Sequence, residues 1–307
     1  MIVVKQRIDD YTSINIKVTN GDYDENTNYM FGDIKFYNHY YYRSVIDNNK
    51  GNTPSENPNS WLRWSISNRY AQADLRSLTK TIYDQNSAID WNVKKLITVI
   101  PNDSYDIISF GRLIGKTLTV EVLNASGTVV DTHHAITYPR PNSNTWYNYY
   151  FDQFLTAFTP LNYFFRIKPI QGGTIRITVT IDDSLQRAEV GYMVAGKGVH
   201  LGDTLYGVSL GLNDNSLVEI DDYGITTVTK RDANQTQDVD VVFPSSHIQE
   251  MKRRVRDIYG RIVLFIADET SNNAYEHLPI LGYVEDFTTV LNNSVETKAS
   301  LSIKEVI

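Results

Sequence analysis

Apolar and polar residues alternate with period two along much of the chain. "INIKVTN" (14–20), "KTLTVEVLN" (116–124), "TIRITVTID" (174–182) and "SLSIKEVI" (300–307) all carry the pattern of half-buried strands. Turn residues punctuate them at Asn20-Gly21-Asp22, Ser126-Gly127, Gly172-Gly173 and Tyr223-Gly224. One segment switches to helical spacing. In "SHIQEMKRRVRDIYG" the apolar residues Ile248, Met251, Val255 and Ile258 fall on one stripe. Ser246 and Gln249 have capping-box spacing, and Gly260 stands where a left-handed residue ends a helix. The pattern predicts a helix over 246–259, and a weaker one over "FDQFLTAF" (151–158).

The fold class that follows is mainly β, in three regions. Residues 1–70 hold a small aromatic β module with the loop "DNNKGNTPSENPNS" (47–60). Residues 71–198 predict a jelly-roll-like β-sandwich, with strands near 93–100, 105–111, 116–124, 128–138, 161–169, 174–182 and 187–195. Residues 199–307 predict a β-rich α+β unit around the helix. The glycines of "VAGKGVHLGDTLYG" (194–207) mark an expected linker between the last two.

Aromatic residues change this picture most. The chain has 21 Tyr against 11 Phe, and Tyr offers contact area while tolerating water. They crowd into "GDIKFYNHYYYRSVIDNNKGNTPSENPNSWLRW" (32–64). Treated as one strand, 34–46 places Phe36, Tyr40 and Tyr42 on one face and Tyr37, His39 and Tyr41 on the other. One aromatic face can form a core; the other is free for a neighbour or a ligand. Two readings stand side by side: a miniature aromatic core, or a platform of Tyr37, Tyr41, Tyr42, Trp61 and Trp64 that stacks on sugar rings.

The same residues resemble chitin-binding-type modules, in which a strand with "YNG" precedes a "YYRS"-like run, a "GxxPS" and a Trp. The matching positions are Tyr37-Asn38, Tyr41-Tyr42-Arg43-Ser44, Gly51, Pro54-Ser55 and Trp61, with His39 in place of the glycine. The resemblance implies glycan binding by a subset of these rings.

A longer resemblance covers most of the chain. "WSISNRYAQAD" (64–74), "WYNYYFDQF" (146–154), "AEVGYMVAGKGVHLGDTLYGVSLG" (188–211), "DDYGITTVTKRD" (221–232) and the ending "PILGYVEDFTTVLNNSVETKASLSIKEV" resemble tailed-bacteriophage virion proteins in their order. This implies a structural subunit of a tail, baseplate or neck that joins virion parts or fibres. It also implies assembly in the host cytoplasm, a homo-oligomeric ring, and other virion proteins as partners. Trp146, Tyr147, Tyr149 and Tyr150 would anchor a protein interface, with core packing as the alternative. A host-surface glycan is the partner if the aromatic module binds.

Charge and chemistry narrow the field. The net charge is −7, which is not the footprint of a nucleic-acid binder, and the short basic run Lys252, Arg253, Arg254, Arg256 fits a helix C-terminus. No apolar run is long enough for a membrane helix, and "MIVVKQRIDD" does not have the pattern of a signal peptide. Without Cys there are no disulfides or thiolate sites. His39, His133, His134, His200, His247 and His277 are scattered, so no metal or other cofactor is expected. Asp182-Asp183 and Asp221-Asp222 lie beside turn residues, and Asp47 with Glu56 lacks calcium-loop spacing. No nucleophile or phosphate motif occurs, so a non-enzymatic protein is expected. A glycan-binding adsorption protein is the alternative, and a glycan-degrading enzyme the second alternative.

Overall fold

The computed structural model describes residues 1–8, 11–76, 79–136, 161–181, 186–220, 223–224, 226–231, 233–267, 279–291 and 295–306. The chain is mainly β, with multiple antiparallel sheets, and the one α-helix among these residues is Ile248–Ile258.

The predicted sandwich is present. A five-stranded sheet runs in the order Val129–Ile136, Thr117–Leu123, Gln171–Thr180, Lys95–Asp103, Ser13–Ile14. A three-stranded sheet of Leu161–Arg166, Ile107–Leu113 and Tyr192–Gly196 packs against it. Alternation makes this inevitable. In Thr117–Leu123 the even positions Leu118, Val120 and Val122 are buried, and Ile175, Ile177 and Val179 repeat the pattern beside them. Phe110, Ile108 and Met193 close the core from the other sheet.

The C-terminal unit is more closed than its α+β pattern suggests. Its sheet runs Gly198–His200, Ile2–Val4, Val263–Ile266, Pro279–Leu291, Glu296–Glu305, Asn234–Pro244, Asp203–Thr204. The first and last of these are nearly continuous in sequence, so the segment 198–204 leaves one edge and joins the other, closing a barrel. Gly202, at φ +139, makes the crossing. A Cβ there would stand 2.8 Å from the carbonyl oxygen of Val242. The helix packs its stripe of Met251, Val255 and Ile258 on Val3, Val241, Phe265 and Leu301, as the spacing predicts. It starts at Ile248 after a 3₁₀ turn, Ser245–His247. No side-chain cap bond forms, so the Ser246/Gln249 capping box is not made. Gly260 ends it at φ +70, as expected.

Three sequence expectations change. Residues 194–207 are not a linker: Tyr192–Gly196 is a buried sandwich strand, and the rest belongs to the barrel. Gly196, Gly198 and Gly202 serve close approach; a Cβ on Gly196 would meet the Lys5 carbonyl at 2.3 Å. The expected 1–70 region is also divided. Ile2–Val4 completes the barrel, Ser13–Ile14 pairs with the sandwich, and the module itself begins beyond them. Finally, "INIKVTN" forms only the short strand ending at Ile14 and an isolated bridge from Ile16 to Ala88. The outer face of the barrel (Ile2, Val4, Leu264, Ile266) packs on Ile107, Tyr192 and Val194, so barrel and sandwich share an apolar interface.

Candidate binding surfaces

The aromatic segment is a hairpin, not one strand. Ile34–Tyr37 and Tyr40–Ser44 are joined by Asn38 and His39, both left-handed at φ 45° and 76°. Two consecutive positive-φ residues give a turn whose twist matches the flanking strands, a role usually given to Asn-Gly. Here His39 takes the glycine's place, and its ring lies 4.0 Å from that of Tyr70. The register pairs Tyr37 with Tyr40, Phe36 with Tyr41, Lys35 with Tyr42 and Ile34 with Arg43. Directly opposed residues share a face. Tyr37, Tyr40 and Tyr42 therefore lie together, opposite Phe36, Tyr41 and Arg43, which corrects the single-strand faces.

The first face is a core. Trp61, from the third strand Trp61–Ile66, is 2% exposed and meets Tyr23 and Tyr29 edge-on at 5.8 and 5.3 Å. Tyr37 meets Tyr42 edge-on at 6.4 Å and Tyr23 at 5.7 Å. Such crossed rings place the positive edge of one on the negative face of another. Two of their polar tips are used internally. Trp61 Nε1 donates to the Asn52 carbonyl at 2.8 Å, and the Tyr29 hydroxyl donates to the Asp24 carbonyl at 3.0 Å. Burial pushes the Tyr42 hydroxyl pKa upward. The Asn/Pro-rich loop folds over this core through buried Asn49, whose Nδ2 donates to Ser44 Oγ and the Ser60 carbonyl.

The second face attaches the module to the sandwich. Phe36 stacks on Tyr70 (6.1 Å, 7°), and Tyr70 stacks on Tyr11 (5.2 Å, 9°), a residue of the sandwich core. The Tyr41 hydroxyl accepts from Thr19 N at 3.1 Å and bonds Thr19 Oγ1 at 2.7 Å. The cleft beside this stack, lined by His39, Tyr40 and Tyr70, holds only about 150 Å³.

Of the residues proposed to stack on sugar, Tyr41, Tyr42 and Trp61 are buried and offer no open ring face, and Tyr37 is half-buried against Tyr23 and Tyr42. The physical reason is that a three-stranded module has little aliphatic material and uses rings with polar tips as its core. Trp64 alone is open, at 55% exposure. It sits at a β-bulge: Tyr42 pairs with Arg63 and Tyr41 with Ser65, leaving Trp64 unpaired and turned outward. Arg43 lies over its ring at 5.4 Å and over that of Phe31, 61% exposed, at 5.5 Å. Leu62 and Met30 are exposed beside them in the fold. Phe31 and Arg43 were absent from the sequence candidates. Their signal was the register: Arg43 pairs with Leu62, beside the bulge at Trp64, through the pairing of Tyr40–Ser44 with Trp61–Ile66.

A second surface extends from the strand Asn234–Pro244 of the barrel. Ser209–Asn213 pairs with the outer part of Asn234–Pro244, and beyond it Leu217–Ile220 and Thr226–Thr229 form a separate two-stranded hairpin. This arm displays Tyr206 (92% exposed), Leu210, Leu212 (72%), Val218, Tyr223 and Val228. An isolated two-stranded hairpin is marginally stable in water, and exposed apolar residues on strands mark interaction sites. The expected anchor Trp146, Tyr147, Tyr149 and Tyr150 lies outside the described residues, as do the 151–158 helix candidate and the pairs Asp182-Asp183 and Asp221-Asp222.

A groove follows the helix where it meets the barrel. Cavities of about 310 and 730 Å³ adjoin through Leu201, Glu250 and Arg254. Part of its charge is matched, Arg254 pairing with Glu250 at 2.6 Å and Lys5 with Asp257, while Arg253 and Arg256 also line it. His133 and His134 bond separately, to Asp131 and to Thr119 Oγ1, as neighbours on a strand must. Among the described residues no group of three His, Asp or Glu side chains is placed to hold a metal, and no helix is long and apolar enough to cross a membrane. No family model matches the chain, and neither does any curated protein or solved structure.

Proposed function

We propose that this chain is a non-enzymatic structural subunit of a tailed-phage virion that joins tail, baseplate or neck parts, assembled in the host cytoplasm as a homo-oligomer. The observation that carries the reading is the arm, which exposes aliphatic and aromatic residues along Ser209–Asn213 and the hairpin beyond it. Large apolar and aromatic side chains left this exposed on neighbouring strands are the material of partner interfaces. Identical arms on identical subunits give a repeated interface, which closes into a ring when the rotation allows.

Light-scattering mass measurement on the full chain tests this. The parent should form a defined oligomer at micromolar concentration. Leu210→Asp with Leu212→Asp should leave a folded monomer with an unchanged circular dichroism spectrum. A parent that stays monomeric would remove the support.

A second reading, adsorption to a host-surface glycan, is favoured by one observation: the open rings of Phe31 and Trp64 around Arg43. It is compatible with the first, since a virion subunit can carry an accessory binding module.

A further inference from the structure

We infer that Phe31, Arg43 and Trp64 bind a carboxylate-bearing sugar, a uronic acid within a polysaccharide, with Arg43 holding the carboxylate and the two rings covering the pyranose. The inference rests on the adsorption reading and narrows it from glycans at large to acidic ones.

Arg43 is placed by the middle strand of the module, paired on one side with Ile34 and on the other with Leu62, so its backbone is fixed from both sides. Its guanidinium is held over two rings, and no carboxylate among the described residues forms an ion pair with it. The two nearby acids are committed to the loop. Asp33 accepts from Met30 N at 2.8 Å and Asp47 from Phe31 N at 2.9 Å, which also fixes the position of Phe31.

The arrangement is a planar fork of donors, pre-oriented and unspent, between flat apolar faces. A guanidinium fork matches a carboxylate in bidentate geometry, and flat rings match the C–H face of a pyranose. One cation suits a monoanion. The module's other basic side chains near rings, Lys35 over Tyr29 and Arg63 over Tyr40, belong to the opposite face. The bulge at Trp64 explains why this ring is outside the core while Trp61, three residues earlier, is inside it. The chain's net charge of −7 disfavours indiscriminate attraction to polyanions, so binding would depend on the local fork.

Affinity electrophoresis of the full chain tests the inference, in gels holding polygalacturonate, its methyl ester, or soluble chitin oligosaccharide. Retardation is expected in polygalacturonate and little in the uncharged ester. Arg43→Gln should weaken it at least about tenfold, the loss of a charged hydrogen bond. Arg43→Lys should fall between, because an ammonium lacks the fork. Trp64→Ala should weaken it as well, and all three substitutions should leave the circular dichroism spectrum unchanged. Equal retardation by the ester, or by the Arg43→Gln protein, overturns the inference. Retention by chitin oligosaccharide alone, lost with Trp64→Ala but not with Arg43→Gln, overturns it while sparing the adsorption reading. No retention in any gel removes both.

Discussion

The aromatic module and the arm differ in a way their sequences do not announce. The module has the conspicuous residues, yet it hides Tyr29, Tyr42 and Trp61 and uses Phe36 and Tyr41 to grip the neighbouring sandwich. The arm has ordinary ones, and it leaves Leu210, Leu212, Val218 and Val228 in solvent. The cause is the number of layers. The module's three strands carry rings on one face under the folded-over 47–60 loop and on the other against Tyr70 and Thr19. The arm's hairpin has two strands, and its described side chains lie exposed. Exposure is decided by what lies above a strand, not by how aromatic the strand is.

That contrast can be broken most forcefully at Trp61. Trp61→Ala removes a buried ring and strands the Asn52 carbonyl, so it should destabilise the module by about 3–5 kcal/mol. A melting curve matching the parent would mean the ring is not a core residue. Tyr41→Phe probes the second face more gently. Losing the bonds to Thr19 should cost about 1 kcal/mol in urea unfolding, without altering retention on any polysaccharide. A selective loss of retention would return Tyr41 to the binding surface.

The sandwich between the two regions supplies an electrostatic reference. The hydrogen bond from Arg176 Nε, 2.7 Å from Glu121, holds the Glu121 carboxyl below its ordinary value. A depressed carboxyl adds stability above the unfolded value, and that contribution disappears as pH falls through the folded one. Arg176→Gln should therefore destabilise the chain at pH 7, by under about 1 kcal/mol for so exposed a pair, and have no effect well below the carboxylate range. Urea midpoints at neutral and acidic pH would check it, and an equal deficit at both would exclude the ion pair as the cause. The smallest effect belongs to the arm. Leu212→Asp should change unfolding by no more than about 0.5 kcal/mol in dilute monomer, while weakening self-association. A large loss of stability in the monomer would place Leu212 in a core and end the comparison.

Much of the fold was legible because it depends on neighbours in sequence. The alternation in Thr117–Leu123 and Gln171–Thr180 fixes which residues face a core, and the spacing of Met251, Val255 and Ile258 fixes the buried side of the helix. The left-handed Gly260 was equally local. The candidate site was legible only in its residue types. Reading 34–46 as one strand missed that Asn38 and His39 reverse it, since His39 is an unusual residue at a positive φ. Without that reversal the partners of each ring come out wrong.

The sequence by itself therefore determined a mainly β chain, the strands of the sandwich, the helix and its stripe, because steric periodicity and turn chemistry act over a few residues. Only the tertiary structure decided which distant strands complete which sheet. It carried Ile2–Val4 into the barrel beside Val263–Ile266, turned Trp64 outward at a bulge opposite Tyr41 and Tyr42, and brought Arg43 over Phe31. These choices rest on packing between segments far apart in the chain, where every residue type involved is locally compatible with several partners and only the assembled core selects one.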